Sequence, residues 1–393
     1  MSEALDIPSI VSTLKMILPA QEQIPLHEPE FNAHANKYVN DCINSGWVSS
    51  VGSYVTRFEQ QLAEFTGTKH AIATSNGTSA LHICLLLSQV NPGDEVLLPD
   101  LTFIATANAV RYCHAIPHFV DVDVLNLGVD SIKLKHYLHT IGRYENGCLI
   151  NKHTGNKISA LIVMHSFGHP ADMHSLLDCC DEFGLKLIED AAESLGSYYQ
   201  QQHTGNFARL SALSFNGNKI ITTGGGGAIL TNNDDLADKA RHLTTTAKIP
   251  NTIASEHDQL GYNYRLPNLN AALGVAQLEQ LAQKLQQKRQ LAQYYYEHFA
   301  TVTGVSIFKE SVHCKSNYWL NLLLLEQPSV NNRDNILRQT NEAGIMTRPA
   351  WGLMHRQKMH KNCPRMADLE NAKALFSSII CLPSSPQLMA EHQ

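Results

Sequence analysis

The sequence predicts an α/β protein with a large domain built on a mostly parallel central sheet and a smaller C-terminal α+β domain. Three observations carry this. Between residues 70 and 195 short apolar runs alternate with helical patterns, which marks βα units and not a sandwich. The chain has 393 residues, 44% hydrophobic and 17% charged, enough to bury a large core across two domains. From residue 234 onward long helical stretches replace the strand-and-helix alternation.

Taken in order, residues 1–23 predict a helical extension, with Ile7, Ile10, Leu14 and Ile17 spaced to pack on a neighbour. Asn32 to Asn44 reads as a helix stopped by Ser45-Gly46, and the loop GWVSSVG leads to another helix beginning near Tyr54. Trp47 and Ser49 of that loop either line a pocket or anchor the loop to the core. His70 to Thr74 is a strand, SNGTS turns, and Ala80 to Val90 is an apolar helix. The N–H groups of Gly77 and Thr78 then sit at the positive end of a helix, which is an anion site or a plain capped start.

Pro92-Gly93-Asp94 turns into a strand at Glu95 to Leu98, and Leu101 to Tyr112 is a helix opened by Thr102-Phe103. Phe103 either stacks on a planar ring or joins the core. Ile116 to Val120 is a strand closed by Asp121 and Asp123. Lys157 to Met164 is a buried strand ending at His165, read as a structural residue, and Met173 to Phe183 is a helix. Leu185 to Asp190 is a strand ending in two acids that alternate in direction, so only one faces a pocket. Asp190 stands beyond the carboxyl end, where open α/β sheets bind ligands.

The stretch LSALSFNGNKIITTGGGGAIL, Leu210 to Leu230, holds the principal candidate. An apolar strand meets the Asn216-Gly217 turn, Lys219 follows, and Gly224 to Gly227 let a flat ligand or another backbone approach before the strand resumes. Burial disfavours a charged amine, and a neutral amine attacks aldehydes, so Lys219 is a Schiff-base candidate with pyridoxal phosphate (PLP) as the usual aldehyde. A surface lysine beside a glycine hairpin fits the same stretch. Beyond it, Asp234 to Thr246 is a helix, GYNYRLPNLNAALG follows, and Ala271 to Thr301 is one long helix linking two domains. Strands at Val305 to Phe308 and Tyr318 to Leu325 and a helix at Arg333 to Ala343 make the small domain, with Arg348-Pro349-Ala350-Trp351 extended after it.

A net charge of −6 and the lack of basic runs exclude polyanion and anionic-membrane binding. No apolar run reaches the roughly 18 residues of a membrane span, and the N-terminus lacks the charge order of a signal peptide, so a cytoplasmic protein is expected. Nine cysteines without CxxC spacing read as reduced thiols, with no metal site. No G-x-G-x-x-G follows a predicted strand, which argues against a dehydrogenase.

Asp190-Ala191-Ala192-Glu193-Ser194, SFNGNK, TGGGG and GYNYR together resemble the nucleotide-sugar aminotransferases of the DegT/DnrJ/StrS family, over about residues 24 to 385. The resemblance implies a fold type I PLP enzyme divided into an extension (1–23), a large PLP-binding domain (24–262) and a small domain (263–393). It also implies a homodimer with shared active sites. Lys219 becomes the Schiff-base lysine and Asp190 the partner of the pyridine nitrogen. Ser214 and the amides of Gly77 and Thr78 clamp the phosphate, Phe103 stacks on the ring, and Asn263 reaches the phosphate from the other subunit. Gly225 stands where glutamate is common, and Glu193, near the cofactor's phenolic oxygen, where glutamine or histidine is common. Both departures, and the RP-x-W stretch with Arg348 and Trp351 toward substrate, resemble the bacillosamine and legionaminic acid branch. The implied reaction moves an amino group from L-glutamate to a nucleotide-linked 4-keto-6-deoxy sugar. Its rivals are a 3-keto-sugar or cyclitol aminotransferase and a non-catalytic PLP-binding regulator; a dehydratase of the same family would carry histidine in place of Lys219.

Overall fold

Parallel strands buried on both faces need helices on each side, and that is how the chain is arranged. The computed structural model describes residues 5–250 and 254–392, so the first four residues of the expected extension lie outside it. The central sheet has seven strands: β1 (His70–Thr74), β2 (Glu95–Pro99), β3 (Ile116–Val120), β4 (Ile158–Met164), β5 (Lys186–Asp190), β6 (Leu210–Ser214) and β7 (Gly227–Thr231). Across the sheet they run β1-β7-β6-β5-β4-β2-β3. All are parallel except β7, which runs against both β6 and β1. The uninterrupted apolar reading of β2 and β4 matches their complete burial.

A second sheet orders β8 (Val305–Ile307), β9 (Asn321–Leu325), β11 (Ile379–Leu382) and β10 (Arg348–Pro349), all antiparallel. Helix Ile7–Ile17 packs here: Ile10, Leu14 and Ile17 join Leu291, Tyr295, Val305 and Leu323 in one apolar cluster. The extension is therefore part of the C-terminal core. No helix among the described residues is long and apolar enough to cross a membrane, and all nine cysteines are free thiols.

Three elements differ from the sequence reading. The expected long helix over Ala271 to Thr301 is two, Asn268–Glu279 and Leu281–Phe299, divided at Gln280. The first half packs on the helices Ala33–Ser45 and Ser53–Thr66, the second on Ile7–Ile17 and β8, so each follows a different apolar partner. Helix Ser131–Ile141, with the hairpin Gly142–Glu145 and Cys148–Asn151, fills a stretch to which the sequence reading assigned nothing. The third is β7 itself, whose antiparallel direction follows from a return through the glycine-rich loop without a crossover helix.

Asn268 shows how the pieces are held. Helix Ser53–Thr66 begins after Gly52, which has no side chain to cap it, and Asn268 Oδ1 accepts from the N–H groups of Tyr54 at 3.0 Å and Val55 at 3.3 Å instead. Its Nδ2 donates to the Trp47 carbonyl at 2.7 Å, so the GWVSSVG loop is anchored here. A Cβ on Gly52 would lie 2.3 Å from the Asn268 side chain. Asn268→Ala leaves two buried N–H groups without an acceptor and is expected to cost about 2 to 4 kcal/mol, read as a lower urea midpoint at unchanged slope.

Candidate active site

β5 and β6 are parallel neighbours with Ala212 opposite Asp190, so their carboxyl ends open on one cavity of about 350 Å³. Gly77, Thr78, Phe103, Asp190, Glu193, Ser214, Lys219 and Trp351 all line it. Eight of the residues singled out in the sequence thus converge from segments far apart in the chain.

The turn after β6 presents the lysine. Lys219 N–H donates to the Asn216 carbonyl at 3.0 Å, closing the Asn-Gly turn, and the side chain re-enters the cavity, only 11% exposed. Its Nζ donates to Glu193 Oε1 at 3.0 Å and lies 3.9 Å from the centre of the Trp319 ring. That ring is fixed by its own Nε1, which donates to the Asn218 carbonyl at 2.7 Å.

Glu193 is buried and its second oxygen is also committed, accepting the Phe167 N–H at 2.8 Å. Burial pushes this carboxyl up to about 7, against the opposing effect of the Lys219 cation. Phe167 has φ 58 and ψ 15, left-handed for a residue with a Cβ, and stacks on Trp351 with ring centres 4.4 Å apart and planes 4° apart. The other ring neighbour of Trp351 is Phe103, edge-on at 6.4 Å and 45% exposed.

Asp190 Oδ2 accepts from the Thr106 hydroxyl at 2.7 Å and Oδ1 from the Ala192 N–H at 3.3 Å. Burial raises its carboxyl above the usual range despite these bonds. Glu189 points to the opposite face, where His165, Ser211 and the N–H groups of Gly205, Phe207 and Ala208 satisfy it. His165 is accordingly a structural partner of Glu189.

At the other end, helix Gly77–Leu87 starts against β6. Asn76 caps the Ser79 N–H at 2.8 Å, which leaves the N–H groups of Gly77 and Thr78 without an intrahelical acceptor beside Ser214. A Cβ on Gly77 would lie 2.9 Å from Ser214 Cβ, and one on Gly227 would lie 2.5 to 2.6 Å from the Asn76–Gly77 backbone. Of the four glycines, Gly227 is the one that receives a close backbone, while Gly225 faces open space.

Two expected residues lie elsewhere. Arg348 does not line the cavity: it is exposed on β10 and donates to the Asn341 side chain at 3.2 Å and the Thr347 carbonyl at 3.0 Å. Its pairing with Cys381 across β10 and β11 carries the side chain away from Trp351. Asn263 is exposed and bridges to Thr245, outside its own chain's cavity. Conversely, Thr106, Phe167 and Trp319 escaped the sequence reading, Trp319 because it was counted only as part of a strand.

The comparisons with known proteins give this geometry its family. The model of the DegT/DnrJ/EryC1/StrS aminotransferase family matches residues 29–393. The chain belongs to that family. A GDP-perosamine synthase of Vibrio cholerae is 36% identical over 370 residues, 93% of this chain and 95% of that one. A pyridoxal phosphate-dependent aminotransferase named EpsN, from Bacillus subtilis, is 34% identical over 375 residues, 95% and 93% of the two chains. The crystal structure of a DegT/DnrJ/EryC1/StrS aminotransferase from Brucella abortus superposes with a TM-score of 0.81 at 28% identity, covering 90% of each chain. The protein is thus a PLP-dependent sugar aminotransferase of fold type I.

The residues present fit the cofactor. Asp190 is a buried carboxylate whose charge is costly as it stands, and a protonated pyridine nitrogen is the cation that would offset that cost. The helix start at Gly77 and Thr78, with Ser214, suits a phosphate, and Lys219 is an amine at the cavity wall. When bound, PLP supplies a ring that withdraws electrons from the substrate carbon. Lys219→Ala is expected to remove both turnover and the covalent fixation of PLP by borohydride, checked by intact mass. Asp190→Asn is expected to retain PLP while turnover falls at least about 100-fold, because an amide cannot balance a pyridinium.

Proposed function

We propose that this chain transfers the amino group of L-glutamate to a nucleotide-linked 4-keto-6-deoxy sugar, UDP-2-acetamido-2,6-dideoxy-4-hexulose, giving a 4-amino sugar for a surface glycan. In this reading Lys219 is the catalytic amine, Asp190 holds the ring nitrogen, Gly77, Thr78 and Ser214 hold the phosphate, and Phe103 covers the ring. The observation that carries it is the aromatic wall at the cavity: Trp351 is backed face-to-face by Phe167 and flanked by Phe103. Such a wall suits the apolar face of a deoxy sugar carrying a C6 methyl group. Arg348, expected to hold the diphosphate, has no part in this reading.

A GDP-linked acceptor is the second reading, favoured because the Vibrio cholerae relative at 36% identity is named a GDP-perosamine synthase. Incubating the enzyme with PLP, L-glutamate and 4-keto-6-deoxy sugars on UDP, GDP or dTDP, and following 2-oxoglutarate and product mass, separates the two. UDP-linked turnover at least about tenfold above the others in kcat/KM is expected. Turnover confined to GDP-linked sugar would replace the first reading with the second, and turnover confined to 3-keto sugars or cyclic ketoses would refute both acceptors.

The same reading places the enzyme in the cytoplasm as a homodimer in which Asn263 of the partner subunit completes the phosphate site. Asn263 is exposed and outside its own chain's cavity, which supports a role across an interface. Mixing inactive Lys219→Ala and Asn263→Ala chains should restore up to about a quarter of wild-type activity, since random pairing makes half the dimers mixed and one of their two sites is intact. Failure to recover activity despite verified subunit exchange would place Asn263 in cis or outside the site.

A further inference from the structure

Glu193 is held in a way that a purely structural carboxylate does not require. One oxygen is pinned by the Phe167 N–H at 2.8 Å, so the group cannot rotate away, and the other meets Lys219 Nζ at 3.0 Å. The side chain is 1% exposed, which leaves the lysine as its proton-exchange partner. The charged and titratable groups around it are Lys219, Asp190 on the neighbouring strand end, and Cys381 on β11. On the far side of Nζ lies the Trp319 ring, which stabilises the ammonium form at the same spot.

We propose that Glu193 is a catalytic residue that shares one proton with Lys219, taking it from and returning it to the amine whenever the lysine is free. The step balances within the pair: the Nζ–H bond breaks, the amine keeps the electron pair, and an O–H bond forms at Glu193 Oε1. No oxidant or further reactant takes part. The pair thereby supplies a neutral amine in a site closed to water. This rests on the assignment of Lys219 above. The carboxyl's position near 7 puts the exchange within the working range of a general acid or base.

The sign of the pH dependence follows from counting protons. Below about 7 both groups are protonated and no neutral amine is available. Above it one proton is shared, and the fraction of neutral amine is then constant until the lysine itself loses its last proton.

Full-length enzyme stripped of PLP by dialysis is therefore expected to show acetylation of Lys219 by acetic anhydride that rises to a plateau at about pH 7, read by mass spectrometry. Glu193→Gln, which keeps the shape, should lose the plateau and gain about tenfold in rate per pH unit up to the ordinary lysine range. In the PLP-loaded enzyme the same variant should lower the rate with L-glutamate at least about 100-fold, and Glu193→Asp should restore part of the plateau. Superimposable acetylation curves for wild type and Glu193→Gln would overturn the proposal. If Glu193→Gln does not fold, a flat Glu193→Asp curve, or a wild-type infrared spectrum without a protonated-carboxyl band that vanishes above about pH 7, would do so. Borohydride failing to fix PLP on Lys219 would instead sink the lysine assignment and leave the acetylation result standing.

Discussion

Three backbone segments meet at the cavity with no room for side chains, and the catalytic geometry depends on that contact. Gly227 at the start of β7 lies against Asn76 and Gly77, and Gly77 lies against Ser214 at the end of β6. A Cβ on either glycine would sit under 3 Å from its neighbour, so a side chain there would push the helix start away from the strand end. The distance between the anion-binding amides and the Lys219 turn is thus set by covalent chain and van der Waals contact, the least adjustable terms available. The antiparallel β7 is part of the same device, since its return beside β6 delivers Gly227 to the helix.

The second sheet does more than fill the C-terminal half. Asn317, just before β9, donates to the carbonyls of Glu193 and Leu195 at 2.9 Å each, and its Oδ1 accepts the Trp319 N–H at 2.7 Å. Gly168 must be glycine here, at φ 92 with a Cβ that would lie 1.9 Å from Asn317 Oδ1. Behind Trp319, the buried Lys288 amine of the linking helix donates to the Trp319 and Ser384 carbonyls. Burial drives that amine well below the ordinary lysine range, so it serves as a neutral or weakly charged donor rather than an ion-pair partner. The surface under Lys219 is therefore built by residues about a hundred positions further along the chain.

That separation explains what could be read in the sequence. Period and turn chemistry are local, so β1, β5, β6 and their loops were legible, and the strand-end rule placed Asp190 and Lys219 together. Phe103 and Ser214 followed from the family resemblance, whose motifs lie on those same strand ends. Thr106 touches Asp190 across 84 residues, and Trp319 reaches Lys219 from another sheet, contacts that no local pattern encodes. Arg348 failed for the opposite reason. Its motif neighbour Trp351 does face the cavity, but the extended segment between them belongs to β10, and strand pairing decides where each side chain points. Helix Ser131–Ile141 was missed because its modest apolar stripe, with Leu134, Leu138 and Ile141 as its buried residues, is interrupted by His and Lys.

The balance of charge in the cavity shows why the site needs its cofactor to be comfortable. Among the described residues that line it, Asp190 and Glu193 are the acids and Lys219 is the one cation. Both acids are raised by burial, so the protein bears the cost of two desolvated carboxyls against one ammonium. A pyridinium beside Asp190 restores the balance at the deep end. At the helix end the incoming phosphate meets amides and hydroxyls but no lysine or arginine from the lining, so its charge falls on the helix start and on whatever closes the cavity from outside. An exposed Asn263, neutral and able to donate, suits that position better than a cation would: it adds a hydrogen bond to the phosphate without competing with Lys219 for the carboxylates that tune it.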